Sequence, residues 1–137
     1  MKPIGYWLNR TDHALTTAMD ALLAEFGLTR LAWQVLNVVE DTAQARDADV
    51  HTVLAANADA AARTAALETV LADGWADRPS PGRLDLTADG RARLARVAER
   101  VADFRTRCTE GVPAEDYRTA VAVLERITRN LEPPASR

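Results

Sequence analysis

The chain contains one cysteine, Cys108, and two histidines, His13 and His51. One cysteine excludes a disulfide within a chain, and so few thiols and imidazoles leave no zinc cluster to expect. Aromatic residues are only 5% of the sequence, so the core has to be built from aliphatic side chains. No run of about eighteen apolar residues is present, and the first residues lack the basic-then-apolar order of a signal segment. A soluble, cytoplasmic protein with no membrane partner is the expectation. Positive charge is also short: the formal net charge is −3 and the pI about 5.4. Any binding to phosphate must then rest on a local patch. There is no nucleophile–base pair, glycine-rich phosphate loop or metal-ligand spacing. Asp12 and His13 are sequence neighbours, diverge by about 100° on a helix and form no dyad within a chain. No catalytic residue, metal or cofactor is expected.

What is present fits one domain, residues 1–137, with 47% hydrophobic and 27% charged residues; the alanine, leucine and arginine content favours helix. Residues 4–26 carry Leu8, Leu15, Met19, Leu22, Leu23 and Phe26 on one helical stripe, which Gly27 ends. Thr29 caps a second helix running to about Glu40, with Leu31, Ala32, Val35, Leu36, Val38 and Val39 as its apolar set. Residues 41–48 read as a polar loop and 50–57 as a short helix. Asp59 then caps a further helix that Gly74 terminates.

Two short extended runs, 75–78 and 83–86, flank Pro79-Ser80-Pro81-Gly82. There proline presets φ and glycine permits φ > 0, as a tight turn requires. Thr87-Ala88-Asp89-Gly90 begins a long helix to about Glu110 through Leu94, Val97, Val101 and Phe104. Gly111-Val112-Pro113 breaks it, and a last helix follows over 114–131 with Tyr117, Val121, Val123, Leu124, Ile127 and Leu131. Residues 133–137 read as a frayed tail.

The predicted fold is therefore mainly α: a helix-turn-helix with a short β-hairpin wing, over about residues 29–87, between long terminal helices at about 4–26 and 88–131. Helix-turn-helix plus a hairpin is a geometry that reads nucleic acid. The terminal helices have apolar stripes that the small reader does not cover, so a two-fold homodimer is expected. Such pairing places two reading helices about 34 Å apart, one turn of B-DNA.

The order and spacing of several signatures resemble the MarR family of winged-helix regulators. They are Gly27-Leu28-Thr29 with Trp33-Gln34-Val35-Leu36, then Leu54-Ala55, Leu71-Ala72-Asp73-Gly74-Trp75 with Arg78, and Leu86-Thr87-Ala88-Asp89-Gly90-Arg91. The resemblance implies a homodimer that binds a roughly palindromic double-stranded operator and releases it when a small, often aromatic, ligand binds. It implies a ligand site between the dimerisation helices and the reader, where Tyr6, Trp7, Asn9, His13, Trp33, Gln34 and Asn37 are the candidates. An aromatic wall with a few fixed polar groups suits a small planar ligand.

For DNA, the candidates are Arg63 and Thr64 on the reading helix, Arg83 on the wing and Arg91 just after it. Arg63 is the one side chain there suited to a bidentate guanine contact, with the neighbouring alanines available to thymine methyls. His51 reads as an exposed residue and Cys108 as a buried or inert thiol. Residues 46–86 hold four arginines against seven acids. That balance also fits a second reading, a MarR-like scaffold with a degenerate reader, repurposed to bind a small molecule or to catalyse with Tyr6, His13, Trp33 and Asn37.

Overall fold

A computed structural model describes residues 1–134. Its chain divides into two compact units, residues 1–101 and residue 102 onward. Part of the expected tail, residues 135–137, lies outside the described residues.

In the first unit, α1 (Ile4–Ala24) ends two residues earlier than the apolar stripe suggests. Phe26 belongs to the closing turn: Gly27, at φ +72°, turns the chain back so that the Leu28 N–H donates to the Leu23 carbonyl at 3.0 Å. α2 (Arg30–Asp41) starts at Thr29, whose hydroxyl accepts the Ala32 N–H at 3.1 Å. Ala32, Val35, Leu36, Val38 and Val39 are all buried, and α2 packs against α1 and the reader elements that follow. It is the centre of this unit's core.

α3 (Asp47–Val53) begins and ends earlier than the expected 50–57. The acids that read as loop are its opening turn: the Asp49 carboxylate accepts the Arg46 N–H at 2.8 Å, and Asp47 and Asp49 favour the positive helix start. Leu54 to Asn57 form turns instead of a last helical turn, closed by the Asn57 N–H on the Leu54 carbonyl at 3.0 Å. α4 (Ala60–Ala72) starts as expected, with Asp59 accepting the Ala62 N–H at 2.8 Å. Gly74, at φ +79°, ends its closing turn.

The wing is β1 (Ala76–Asp77) paired antiparallel with β2 (Asp85–Leu86), Ala76 opposite Leu86 and Asp77 opposite Asp85. These strands are shorter than the expected runs because residues 83 and 84 pair elsewhere. Arg83 bridges Arg46, and the Leu84 N–H donates to the Ala45 carbonyl at 2.9 Å. A third segment, just before α3, thus braces the wing, and no local pattern announced it.

α5 (Ala88–Cys108) starts under the wing. Thr87 Oγ1 accepts the Gly90 N–H at 2.8 Å and donates to the Gly74 carbonyl at 2.7 Å. Trp75, Leu84, Leu86, Leu94, Val97 and Val101 complete the core, Trp75 only 2% exposed. Each fully buried side chain of this kind contributes about 1.5–3 kcal/mol. Thr109 and Glu110, expected in the helix, lie in turns instead. Cys108 is exposed, so of the expected alternatives, a buried or an inert thiol, burial is corrected.

The second unit contains α6 (Ala114–Leu131), whose bounds match the expected helix. None of its residues is buried; Tyr117, Val121, Val123, Ile127 and Leu131 are all exposed. The apolar stripe of α6 is thus exposed along the helix.

Candidate nucleic-acid interface

The second helix of the helix-turn-helix is α4, and its outward face over the first two turns is almost bare of polar groups. Ala60, Ala61, Ala62, Thr64 and Ala65 are exposed, while Ala66, Leu67 and Val70 are buried in the core. Thr64 is the one hydroxyl on that face. Glu68 is exposed one turn further on.

Arg63 differs from its neighbours. It is half-buried, and its Nε donates to His51 Nδ1 at 3.0 Å. Its Nη1 donates to the Ala58 carbonyl and, at 3.5 Å, to the Ala55 carbonyl. The guanidinium thus ties α3 and the α3–α4 turn to α4. His51 is half-buried, not exposed as its sequence context suggests. Accepting at Nδ1 leaves the ring proton on Nε2. Twelve residues separate His51 from Arg63, so only the packing of α3 on α4 reveals the pair.

Of the seven carboxylates counted over residues 46–86, Asp47, Asp49, Asp59 and Asp85 are engaged within the protein, while Glu68, Asp73 and Asp77 have no side-chain hydrogen bond or ion pair among the described residues. Asp47 holds Arg78 through two bonds, at 2.6 and 2.9 Å. The hydrogen bond from this guanidinium to Asp47, ahead of their charge attraction, raises the Arg78 pKa above its already high ordinary value despite slight desolvation. Asp85 on β2 takes Arg91 at 2.7 Å. Asp89 lies 2.9 Å from Arg93, whose guanidinium stacks 4.1 Å from the Trp75 ring centroid and reaches the Asp73 carbonyl at 3.0 Å. Asp49 and Asp59 cap helices, as described.

Among the described residues no ion pair involves Arg46 or Arg83. These two stand together at the turn end of the wing. The Arg46 guanidinium lies over Gly82, close enough that a Cβ there would sit 3.2 Å from it. Arg83 has its Nε buried with no partner. Sequence reasoning singled out Arg83 and counted Arg46 without a role; the strand bridge that brings them together is a tertiary feature. Of the expected DNA contacts, then, Thr64 is free on the α4 face and Arg83 is unpaired on the wing. Arg63 and Arg91 are already bonded within the chain.

The seven candidate ligand residues fall into two sets. Tyr6, Trp7, Asn9 and His13 are exposed on the first half of α1. There Tyr6 and Trp7 meet edge to face at 5.1 Å, and the Tyr6 hydroxyl accepts from Arg10 at 2.8 Å. Trp33, Gln34 and Asn37 are half-buried on α2. Among the described residues no side-chain hydrogen bond joins the sets, and no helix is long and apolar enough to cross a membrane. The second unit has an open hollow of its own, lined by Thr109, Val112, Ala114, Tyr117 and Arg118.

Helix, turn, helix and a braced two-stranded hairpin define a winged-helix protein. No family model matches the sequence, and no curated protein does. Solved structures do. The chain is 25% identical to a Mycobacterium tuberculosis MarR-family protein in complex with DNA, with a TM-score of 0.72 over 93% of this chain and 98% of that one. It is 26% identical to the transcriptional repressor CouR bound to p-coumaroyl-CoA, with a TM-score of 0.73 over 93% and 92%. A Mycobacterium tuberculosis MarR-family protein in complex with p-aminosalicylic acid matches at 25% identity and a TM-score of 0.67, over 93% and 99%. The chain thus has the winged-helix fold of the MarR-family proteins that it resembles.

Proposed function

We propose that this protein is a homodimeric, ligand-responsive, DNA-binding transcriptional regulator acting in the cytoplasm. The observation that carries the reading is the reader itself: an exposed helix face on α4, with Arg46 and Arg83 free of ion pairs beside the wing's turn. Asp47, Asp85 and Asp89 are paired with Arg78, Arg91 and Arg93, so these carboxylates do not neutralise the two unpaired guanidiniums of the wing. The likeness to a relative solved on DNA supports it further.

Dimerisation is supported by the exposed apolar residues of α1 (Ile4, Trp7, Leu8, Leu15) and of α6 (Tyr117, Val121, Ile127). For the ligand, relatives solved with p-coumaroyl-CoA and p-aminosalicylic acid favour a small aromatic acid or its ester. Tyr6, Trp7, Asn9, His13, Trp33, Gln34 and Asn37 are the residues proposed to meet it. Such a ligand acts by population shift: it binds best to a dimer whose reading helices are wrongly spaced for the duplex.

The test is a binding assay with duplex DNA flanking the protein's own gene, at several salt concentrations. A specific complex whose affinity falls steeply with salt is expected. Absence of any complex at low salt overturns the reading.

A further inference from the structure

We infer that the α4 helix reads thymine methyl groups and not guanine edges, with Arg63 held by His51 as a phosphate contact; the inference rests on the DNA-binding reading above. A guanidinium meets the O6 and N7 of guanine through two nitrogens on one edge, either Nη1 with Nη2 or Nε with Nη2. Arg63 has neither edge free. Its Nε is bonded to His51 at 3.0 Å, and its Nη1 is bonded to the Ala58 carbonyl. One nitrogen, Nη2, remains, and a single charged donor suits a phosphate oxygen, which fixes register without reading sequence.

What the helix offers to base edges is then Ala60, Ala61, Ala62, Thr64 and Ala65, all exposed. Five methyl groups and one hydroxyl make a poor hydrogen-bonding surface and a good match for the thymine C5 methyl. Their shortness also lets the backbone approach the groove floor. Glu68 repels phosphate one turn further on and confines the contact to the helix start. His51 is a positioning residue in this scheme: it touches no DNA and decides which face of Arg63 does.

Duplexes are selected from a random pool with the full chain and remade with dU for dT or with 7-deaza-dG for dG. Loss of a contacted methyl is expected to weaken binding about fourfold, while removal of the guanine N7 changes nothing. R63A weakens binding evenly across sequence variants and reduces the salt slope by about one. H51N, which keeps an acceptor where Nδ1 stands, retains this pattern. H51A releases Arg63 and makes binding sensitive to 7-deaza-dG. Sensitivity of the unmodified protein to 7-deaza-dG but not to dU overturns the inference.

A readout without DNA separates the two levels of the argument. Nitrogen-15 NMR reports the hydrogen-bonded Arg63 Nε–H, expected in the unmodified protein and in H51N and lost in H51A, and the Nε2-protonated His51 ring, expected in the unmodified protein. If that bond is present but no duplex is enriched at any salt, the DNA-binding reading fails and takes this inference with it. If duplexes are enriched but the bond is missing, only this inference fails.

Discussion

Gly90→Ala is expected to unfold the protein about 8–16 °C earlier, although alanine is the better helix former. Gly90 lies in the first turn of α5, against the backbone of Trp75, the residue just before the wing's first strand. A Cβ built there stands 1.9 Å from the Trp75 carbonyl oxygen and 2.7 Å from its carbon. Ordinary contact is about 3.5 Å, so helix and strand must separate by more than about 1 Å. The atom struck is backbone and is not free to swing aside. That carbonyl accepts the Thr87 N–H at 3.0 Å, and Thr87 in turn caps Gly90 at 2.8 Å. Separation therefore weakens a hydrogen bond and a cap, each worth about 1 kcal/mol, on top of overpacking strain of about 1–3 kcal/mol. Helix propensity returns about 1 kcal/mol. The net loss is about 2–4 kcal/mol, at about 4 °C per kcal/mol for a domain of this size.

Gly5→Ala is the control, because a Cβ on Gly5, also in a helix, meets nothing within 4 Å. It is expected to raise the melting temperature by a few degrees at most. Calorimetry or circular dichroism on both variants checks the pair. A Gly90→Ala protein melting at or above the parent refutes the packing argument, since propensity alone would then govern.

Four further outcomes are expected. Asp59→Ala removes the α4 cap and costs about 1 kcal/mol by chemical denaturation, whereas Asp59→Asn stays near the parent. Leu23→Ala, at a side chain with no exposed surface, costs about 2–5 kcal/mol in the same assay. Asp47→Asn breaks the two-bond pair with Arg78; both side chains are over a third exposed, so stability falls by less than about 1 kcal/mol. Hydrogen exchange at Ala76 and Asp77 should nevertheless speed up as the wing loses this tether. Ile127→Asp or Tyr117→Asp, on the exposed face of α6, is expected to give a monomer by sedimentation and to lose operator affinity; a dimer that still binds would remove α6 from the interface.

Much of this architecture is legible locally. Thr29 and Asp59 as caps, Gly27, Gly74 and Gly82 at positive φ, and the three-and-four spacing of α2, α5 and α6 each follow from a few adjacent residues. Such features depend on backbone sterics and on hydrogen bonds spanning three or four positions. The start of α3 was hidden because Asp47 and Asp49 look like loop residues until their capping role is seen. The shorter wing strands, the bracing of Arg83 by Arg46 and the burial of Gly90 against Trp75 depend on segments far apart in the chain. The same holds for the site. Sequence alone nominates Arg63, Thr64 and Arg83 by residue type and position on a reader. What each arginine can still donate was decided by tertiary packing, which brings His51 to Arg63, Asp47 to Arg78 and Asp85 to Arg91. A guanidinium has a fixed number of N–H groups, and those bonded inside the protein are not available outside it.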